Sequence, residues 1–251
     1  MRHLLITITA AAALSACGGM KNLDSNALAG AGGSAFKAMS LTDGDVQALA
    51  NQSCAELDKS SKVAAPADAY SKRLERVRQG LPTTIGGQPA SYKVYLTKDV
   101  NAWAMGNGCI RVYSGLMDLM NDDELRGIIG HEIGHVALGH SKKAMQTAYA
   151  VSAARGLAGA TGNAAITQLS SSQIGDFAEK LVNAQFSQSQ ETDSDNYAFD
   201  LLTAQKLKRE GLVTAFQKLA KLDGGKSSML SSHPASGDRA ANIQKRLATS
   251  K

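Results

Sequence analysis

One five-residue segment limits what this chain of 251 residues can fold into more than any other feature of its sequence. Residues 131–135 are His-Glu-Ile-Gly-His, an HExxH motif, and they follow Asn121 and Glu124, which have the spacing of a helix capping box. Apolar residues recur at helical spacing through this stretch, at Leu125, Ile128, Ile129, Ile133 and Val136. The pattern predicts a helix that begins near Asn121 and ends at Gly139.

The HExxH motif is a metal-binding pattern because of helix geometry. Positions four residues apart lie on one face of a helix, so the imidazoles of His131 and His135 can reach the same ion. Catalytic zinc sites use three protein ligands and a water molecule. Glu132 lies on the adjacent face, where its carboxylate can take a proton from that water. We therefore predict one Zn²⁺ per chain and hydrolysis of peptide bonds, with Glu132 as the general base.

The third zinc ligand has two candidates. His140 lies nine residues after His131, on the opposite face if the helix continued, and we interpret it as a cap of the helix end. Glu191 and Asp195 are four residues apart on a helix predicted over residues 177–202. We predict that Glu191 binds zinc and that Asp195 accepts a hydrogen bond from a ligand histidine. The alternatives are a site that uses His140 and an ordinary acidic helix surface.

Three segments together resemble a known enzyme family. The HExxH motif, Glu191-Thr192-Asp193-Ser194-Asp195 and Ser232-His233-Pro234 are similar to the HtpX/Ste-type gluzincin zinc metallopeptidases, in particular their soluble bacterial lipoprotein branch, the LoiP-type proteases. The resemblance runs from about Tyr92 to Arg239. It implies a catalytic glutamate, Glu132, and three zinc ligands, which are His131, His135 and Glu191.

His233 precedes Pro234 at a predicted helix start, where a charged imidazole is disfavoured. Neutral His233 could bind zinc or donate a hydrogen bond to the tetrahedral intermediate, and the alternative is an ordinary turn residue. Arg239 is predicted to order this loop. The His233 loop and residues 141–176 are our candidates for a gate that controls access to the site.

The predicted fold is α+β: a helix-dominated gluzincin domain with a small antiparallel sheet beside the HExxH helix. Three alternating segments, near residues 92–96, 101–105 and 110–113, form the sheet, with a tight turn at Asn107-Gly108. Further helices are predicted over residues 46–57, 70–79, 212–222 and 239–247. One strand is predicted to be an edge that either binds an extended substrate backbone or is only structural; it consists of Asn101, Ala102, Trp103, Ala104 and Met105.

The N-terminus predicts export and a lipid anchor. An apolar run from Leu4 to Leu14 is shorter than the roughly 20 residues of a membrane span, so residues 1–16 are predicted to be a signal peptide. Leu14-Ser15-Ala16-Cys17 resembles a lipobox, which predicts lipidation of Cys17. Residues 17–40 are predicted to be a flexible tether, and residues 41–251 are predicted to be the zinc metallopeptidase domain. Gly18 favours the bacterial outer membrane, with the domain facing the periplasm. A plain secretory signal is the alternative.

The predicted export and the net charge of the chain indicate which bonds and binding partners to expect. In an oxidising compartment Cys54 and Cys109 are predicted to form a disulfide, with two buried thiols as the alternative. The net charge of +5 is scattered, so we predict no nucleic-acid partner. The expected substrates are unfolded or misassembled cell-envelope proteins, with a possible outer-membrane assembly or quality-control partner. The rival hypothesis is an envelope chaperone or assembly factor whose zinc site is gated or not proteolytic.

Overall fold

The computed structural model describes residues 41–154, 169–222, 228–233 and 237–249. The helices of these residues are α1 (Asp43–Ser60), α2 (Ala69–Val77), α3 (Ser114–Leu119), α4 (Asp122–Ala137), α5 (His140–Ala154), α6 (Ser171–Val182), α7 (Gln188–Ala204), α8 (Glu210–Ala220), α9 (Ser228–Ser232) and α10 (Gly237–Thr249). The strands are β1 (Thr84–Ile85), β2 (Gln88–Pro89), β3 (Ser91–Tyr95), β4 (Ala102–Ala104) and β5 (Cys109–Tyr113). The predicted signal peptide, Cys17 and tether lie outside the described residues, as do residues 155–168 of the predicted gate.

The HExxH motif lies on α4, as the capping pattern predicts. The side chain of Asn121 accepts hydrogen bonds from the backbone N–H groups of Asp123 and Glu124 at 3.0 and 2.9 Å. Glu124 Oε2 accepts the backbone N–H of Asn121 at 2.7 Å, which completes the capping box. At the other end Gly139 has a φ of 76°, a conformation that glycine adopts without strain. The predicted helix and both of its ends are therefore confirmed.

Helix α4 lies at the centre of the molecule, where it packs against α7, α8 and β4. Its apolar face is fully buried, with Leu125, Ile128 and Ile129 inaccessible to solvent. Helix α4 comes close to α7 at Gly134, where an added Cβ would lie 3.0 Å from the backbone oxygen of Ser194. Glycine at this position lets the two backbones come close. The HExxH motif is thereby brought next to the α7 turn that carries Glu191 and Asp195.

The three-stranded sheet has the order β3-β5-β4. β4 and β5 form the predicted antiparallel hairpin, whose turn contains Gly108 with a φ of 80°. β3 pairs with β5 in parallel, so the prediction of an antiparallel sheet is wrong for this strand. The reason is the connection over residues 96–101, which carries the chain past the position of β5 and starts β4 at the far edge. β5 then returns between the two strands, in the direction of β3.

A short hairpin of β1 and β2, which the sequence analysis did not predict, precedes this sheet. Its turn is made by Gly86 and Gly87, both with positive φ angles, 59° and 77°. Two glycines at the centre of a two-residue loop favour this type of hairpin turn. The Gly-Gly pair was therefore a usable signal.

The helix predicted over residues 177–202 is wrong as a single element, because α6 ends at Val182 and α7 begins at Gln188. A second capping box explains the break: Ser187 Oγ accepts the backbone N–H of Gln190, and Gln190 Oε1 accepts that of Ser187 at 3.0 Å. No helix in the described ranges is long and apolar enough to cross a membrane. The fold class itself, a helix-dominated α+β domain, is confirmed.

Helix α1 is attached to the sheet through a buried polar group. The guanidinium of Arg111 on β5 is 2% exposed and donates to both carboxylate oxygens of Asp58, at 2.8 and 2.9 Å. Burial alone would raise the pKa of Asp58, but hydrogen bonds from Arg111, Lys93 and Tyr95 lower it to about 2. The structure places the sulfurs of Cys54 on α1 and Cys109 on β5 together beside this group, with their Cα atoms 6.5 Å apart.

Candidate active site

Four buried side chains from three separate parts of the chain bring their donor atoms to one point. We call His131, His135, Glu191 and His233 the ligand cluster; one donor atom of each lies within 4.8 Å of all the others. The Nε2 atoms of His131 and His135 are 3.1 Å apart. Glu191 Oε2 lies 3.4 Å from His131 Nε2, and Glu191 Oε1 lies 3.3 Å from His135 Nε2. The structure thus brings the three predicted zinc ligands together.

The donor set fits a metal ion such as zinc. Zinc–nitrogen and zinc–oxygen distances of about 2.0–2.2 Å in a tetrahedral site leave ligand atoms about 3.3 Å apart, close to the spacing within the cluster. Two buried carboxylate oxygens, Glu132 Oε1 and Glu191 Oε2, accept no hydrogen bond from the described residues. Arg239 Nη1 lies 2.8 Å from Glu191 Oε2 but is not aligned to donate. The charge of Arg239 compensates Glu191 in part, whereas Glu132 Oε1 has no comparably close cation among the described residues, and a bound metal ion would compensate both carboxylates.

Asp195 lies behind His131, on the side away from the cluster. Its Oδ1 is 2.8 Å from His131 Nδ1, and it accepts hydrogen bonds from Arg239 Nε and Nη2 at 2.7 and 2.6 Å. Burial alone would raise the pKa of Asp195, but these hydrogen bonds from Arg239 and His131 hold it below its usual value. An ionised Asp195 directs the His131 Nδ1–H toward itself and leaves the Nε2 lone pair pointing into the cluster.

The charges of the ligand cluster are arranged to receive a cation. Burial opposes a charged His131, but hydrogen bonds with Asp195 and Glu191 outweigh burial and raise its pKa to about 9. Burial lowers the pKa of His135 to about 2. Burial also opposes an ionised Glu191, but hydrogen bonds with the three histidines of the cluster keep its pKa far below its usual value. A metal ion therefore competes with a proton on His131, which weakens metal binding in acid.

Glu132 lies beside the cluster and lines a narrow cavity. The other lining residues are mainly apolar and come from β4, α5, α6 and the segment before α7, among them Trp103, Met105, Met145 and Phe186. Burial raises the pKa of Glu132, and its Oε1 is 3.6 Å from His233 Nε2, beyond hydrogen-bond distance. Within the described part of the chain this oxygen accepts no hydrogen bond, and the carboxylate lines the cavity.

The predicted substrate strand lies where it was expected, at a sheet edge beside α4. β4 pairs only with β5 among the described strands. Met105 N–H donates to Cys109 O, and Tyr113 N–H donates to Asn101 O, so the alternate residues Ala102 and Ala104 direct their backbone groups away from β5. The outward N–H of Ala102 donates to the side-chain oxygen of Asn101 at 2.9 Å, and Ala104 O lies 3.5 Å from Ser141 Oγ. The N–H of Ala104 faces the open edge of the strand, where an added strand could accept it.

The comparison with known proteins agrees with this geometry. The model of peptidase family M48 matches residues 68–247. The chain belongs to peptidase family M48. This M48 peptidase is 49% identical over 249 residues to Metalloprotease YcaL of Escherichia coli K12, a match that covers 99% of this chain and 98% of YcaL. It is also 49% identical over 248 residues to Metalloprotease LoiP of the same organism, covering 98% and 97% of the two chains.

A shorter match links the chain to a second group of M48 relatives. Protease HtpX of Thioalkalivibrio sulfidiphilus is 40% identical over 70 residues, 26% of this chain and 23% of that protein. The resemblance to the HtpX/Ste-type family and its LoiP-type branch is therefore confirmed, and the chain is a metallopeptidase.

His140 takes a different place in this M48 peptidase from the one predicted. It is the first residue of α5 and not a cap of α4. Its Nδ1 lies 3.1 Å from His135 Nδ1 and 3.3 Å from the hydroxyl of Ser194. His140 is absent from the ligand cluster, which contains Glu191. The alternative in which His140 is the third metal ligand therefore has no support in the geometry.

Phe186 covers the M48 site, and the sequence analysis missed it. Its ring stacks on His135 with centroids 3.9 Å apart and lies 5.2 Å from the ring of His233. Its backbone N–H donates to Ser232 O at 3.2 Å, which ties it to the segment that carries His233. The residue was hidden inside the helix predicted over residues 177–202. The capping box at Ser187 was the signal that a new helix begins just after this phenylalanine.

Proposed function

We propose that this M48 peptidase is a zinc-dependent endopeptidase that holds one zinc ion with His131, His135 and Glu191 and uses Glu132 as its general base. One observation carries the proposal. The three donor atoms are spaced as ligands of a single ion, and a buried carboxylate oxygen of Glu132 without a hydrogen bond lies beside them.

The residues around the cluster suit hydrolysis of a peptide bond. A bound zinc ion would polarise the substrate carbonyl and lower the pKa of a water molecule. Glu132 accepts a proton from that water and passes it to the leaving amine, and its raised pKa favours the second transfer. Asp195 holds His131 in the tautomer that binds metal through Nε2. The outward C=O of Ala102 and N–H of Ala104 hold the substrate as an added strand.

The proposed substrates are unfolded or misassembled proteins. Strand addition recognises main-chain groups, so it imposes little sequence preference but requires an extended chain. The ligand cluster is buried beneath Phe186, and His131 and His135 are 0% and 1% exposed, so a folded protein has no route to them. An extended segment that follows β4 reaches Glu132 through the cavity that both line.

The proposed location is the periplasmic face of the outer membrane, with residues 1–16 removed and Cys17 lipidated. This part rests on the N-terminal sequence. A disulfide between Cys54 and Cys109 belongs to the same proposal, because it requires an oxidising compartment. Thiol titration of the denatured, unreduced chain tests it: two free thiols per chain would exclude the disulfide.

A second candidate function is favoured by the position of His233. Its Nδ1 lies 3.3 Å from His131 Nε2 and 2.9 Å from Glu191 Oε1, so the cluster offers four protein donors. Four protein ligands are typical of structural zinc sites, whereas catalytic sites keep one position open. In this arrangement the protein is a gated protease or an assembly factor. Proteolysis then requires His233 to move, after which it is free to donate a hydrogen bond to the tetrahedral intermediate.

The deciding experiment compares the zinc-loaded mature chain with Glu132→Gln on an unfolded test protein. Glutamine keeps the shape of the side chain but accepts no proton, so we expect cleavage by the wild type alone and equal zinc content in both. Cleavage by both variants would overturn the role of Glu132. No cleavage by either, with zinc bound, would favour the second function, and His233→Ala would then show whether release of that side chain starts proteolysis.

A further inference from the structure

The two ring nitrogens of His135 face different surroundings. Nε2 points into the ligand cluster, 3.1 Å from His131 Nε2 and 3.3 Å from Glu191 Oε1. Nδ1 points to the opposite side, where the nearest polar atom given by the structure is His140 Nδ1 at 3.1 Å. Any metal bound by His135 is therefore bound through Nε2. The remaining proton of the neutral ring must then be on Nδ1.

This tautomer of His135 fixes which ring donates the hydrogen bond between His135 and His140. His135 Nδ1–H donates, and His140 Nδ1 accepts with its single lone pair. His140 must then carry its own proton on Nε2, so it is a neutral ring of the opposite tautomer. The hydroxyl of Ser194, which is fully buried, lies 3.3 Å from the same nitrogen of His140 and packs against this ring from α7.

The backbone explains how His140 reaches this position. Gly139, with its φ of 76°, turns the chain directly after α4, and α5 begins at the next residue. The ring of His140 is thereby returned toward the last turn of α4, where its centroid is 5.2 Å from that of His135. A straight continuation of α4 would carry the residue to the other side of the helix.

The arrangement parallels the one at the first histidine of the motif. Asp195 accepts a hydrogen bond from His131 Nδ1, and His140 occupies the corresponding place at His135. Partners of this kind fix the ring orientation and the tautomer of a metal ligand. A neutral imidazole does this without adding a further negative charge to a site that already contains Glu132, Glu191 and Asp195.

We propose that His140 is a positioning residue for the metal: it accepts the Nδ1–H of His135 and thereby holds His135 Nε2 toward the ion. The inference rests on the proposed function, because it requires His135 to bind zinc. His140 itself contacts neither substrate nor metal.

The test uses three substitutions in the full mature chain. His140→Ala and His140→Leu remove the acceptor, whereas His140→Asn can place an amide oxygen close to the position of Nδ1. Lys143→Ala is the matched control, because it is an exposed residue one turn along the same helix. The zinc dissociation constant is measured by competition with a chelator, and the melting temperature is measured on the metal-free proteins.

We expect His140→Ala and His140→Leu to bind zinc about 10- to 100-fold more weakly than the wild type, in the range found when a partner of a metal ligand is lost. His140→Asn and Lys143→Ala should bind zinc with an affinity close to that of the wild type. The downfield imidazole N–H proton of zinc-bound His135, observed by NMR, should disappear into exchange with water in the first two. Should His140→Ala fail to fold, the leucine and asparagine variants carry the comparison.

Equal zinc affinity in all variants would overturn the inference. An equal loss of zinc affinity in His140→Leu and His140→Asn would also overturn it, because it would indicate that His140 only packs against its neighbours. A wild-type chain that binds no zinc would overturn the proposed function together with this inference. A wild type that binds zinc but cleaves nothing leaves the affinity comparison intact, so the two failures are distinguishable.

Discussion

The surroundings of two glutamates in the same buried site shift their pKa values in opposite directions. Burial raises the pKa of Glu132, and the neighbouring positive charges do not cancel this effect. Burial acts on Glu191 in the same direction, but hydrogen bonds from His131, His135 and His233 reverse the effect. Glu191 therefore stays ionised, as its proposed role of metal ligand requires, while Glu132 is suited to exchanging a proton. Such a divergence of neighbouring carboxyl groups distinguishes ligand from base.

The choice between Glu191 and His140 as third ligand can be tested by metal content. We expect Glu191→Ala to lose its zinc on dialysis, because the substitution removes the anionic ligand and leaves only the neutral histidines of the cluster to hold the ion. His140→Ala should keep one zinc per chain when zinc is in excess, although more weakly. Zinc content of the two purified variants is the measurement. The opposite result would make His140 the ligand and leave Glu191 a buried acid that does not bind the metal.

At the scale of single residues, spacing along the sequence was enough to predict the positions of some side chains in the site but not of others. Glu191 and Asp195 could be assigned from their four-residue spacing, because a helix places them on one face whatever surrounds it. The contacts of His140 and Phe186 could not be assigned in this way. They depend on where one helix stops and the next begins, and a mistake of a few residues there moves a side chain out of the site.

The elements that build the site meet at a glycine. Gly134 on α4 faces the backbone of Ser194 on α7, and an added methyl group would lie 3.0 Å from the Ser194 oxygen and 3.1 Å from its Cα. Neither atom can yield without moving the α7 backbone. One residue of the motif that is neither ligand nor base therefore sets the distance between the ligands on α4 and the ligand on α7.

We predict that Gly134→Ala separates α4 from α7. It should lower the free energy of unfolding by about 1–3 kcal/mol, the usual cost of overpacking, and weaken zinc binding as well. Gly130→Ala is the control one turn earlier, where the added methyl would be 3.4 Å from the Cβ of Ala198 and needs little adjustment. Urea unfolding and zinc titration of both variants test this. Similar effects of the two substitutions would contradict it.

The sheet shows what strand patterns leave open. Alternating residues identified β3, β4 and β5 and the hairpin between the last two, because each of these signals is local. The pattern carries no information on which strand becomes the central one. That outcome depends on the path of residues 96–101 across the sheet, which places β5 between β3 and β4 and makes one pairing parallel.

The attachment of α1 to the sheet predicts a dependence on acid. The pKa of Asp58 is lowered from 3.8 to about 2, so its contribution to stability is present above pH 3.8 and is lost as the pH falls toward 2. Allowing for screening by solvent, we expect this part to be about 1–2 kcal/mol. Urea unfolding of metal-free wild type and Asp58→Asn at pH 5 and pH 2.5 measures it. The gap between them should shrink in acid; a constant gap would contradict the assignment.

For the molecule as a whole, a metal ion would connect distant parts of the chain. Its ligands come from α4, from α7 and, through His233, from the segment after α9. A ligand that binds only the folded state adds about 2.7 kcal/mol at a free concentration 100 times its dissociation constant. We therefore expect the melting temperature to rise with zinc and to fall on chelation. Glu191→Ala should show neither change; an equal response of that variant would mean that zinc acts elsewhere.

The separation of these residues along the chain also determines the order in which they become available as the protein is made. Residues 131–135 leave a ribosome or an export channel long before residue 191, and residue 191 before residue 233. A partly emerged chain holds the two histidines and the base, but not the carboxylate that joins them in the finished site. An emerging chain therefore cannot attack its neighbours, or itself, until the last third of the protein has folded onto the first two.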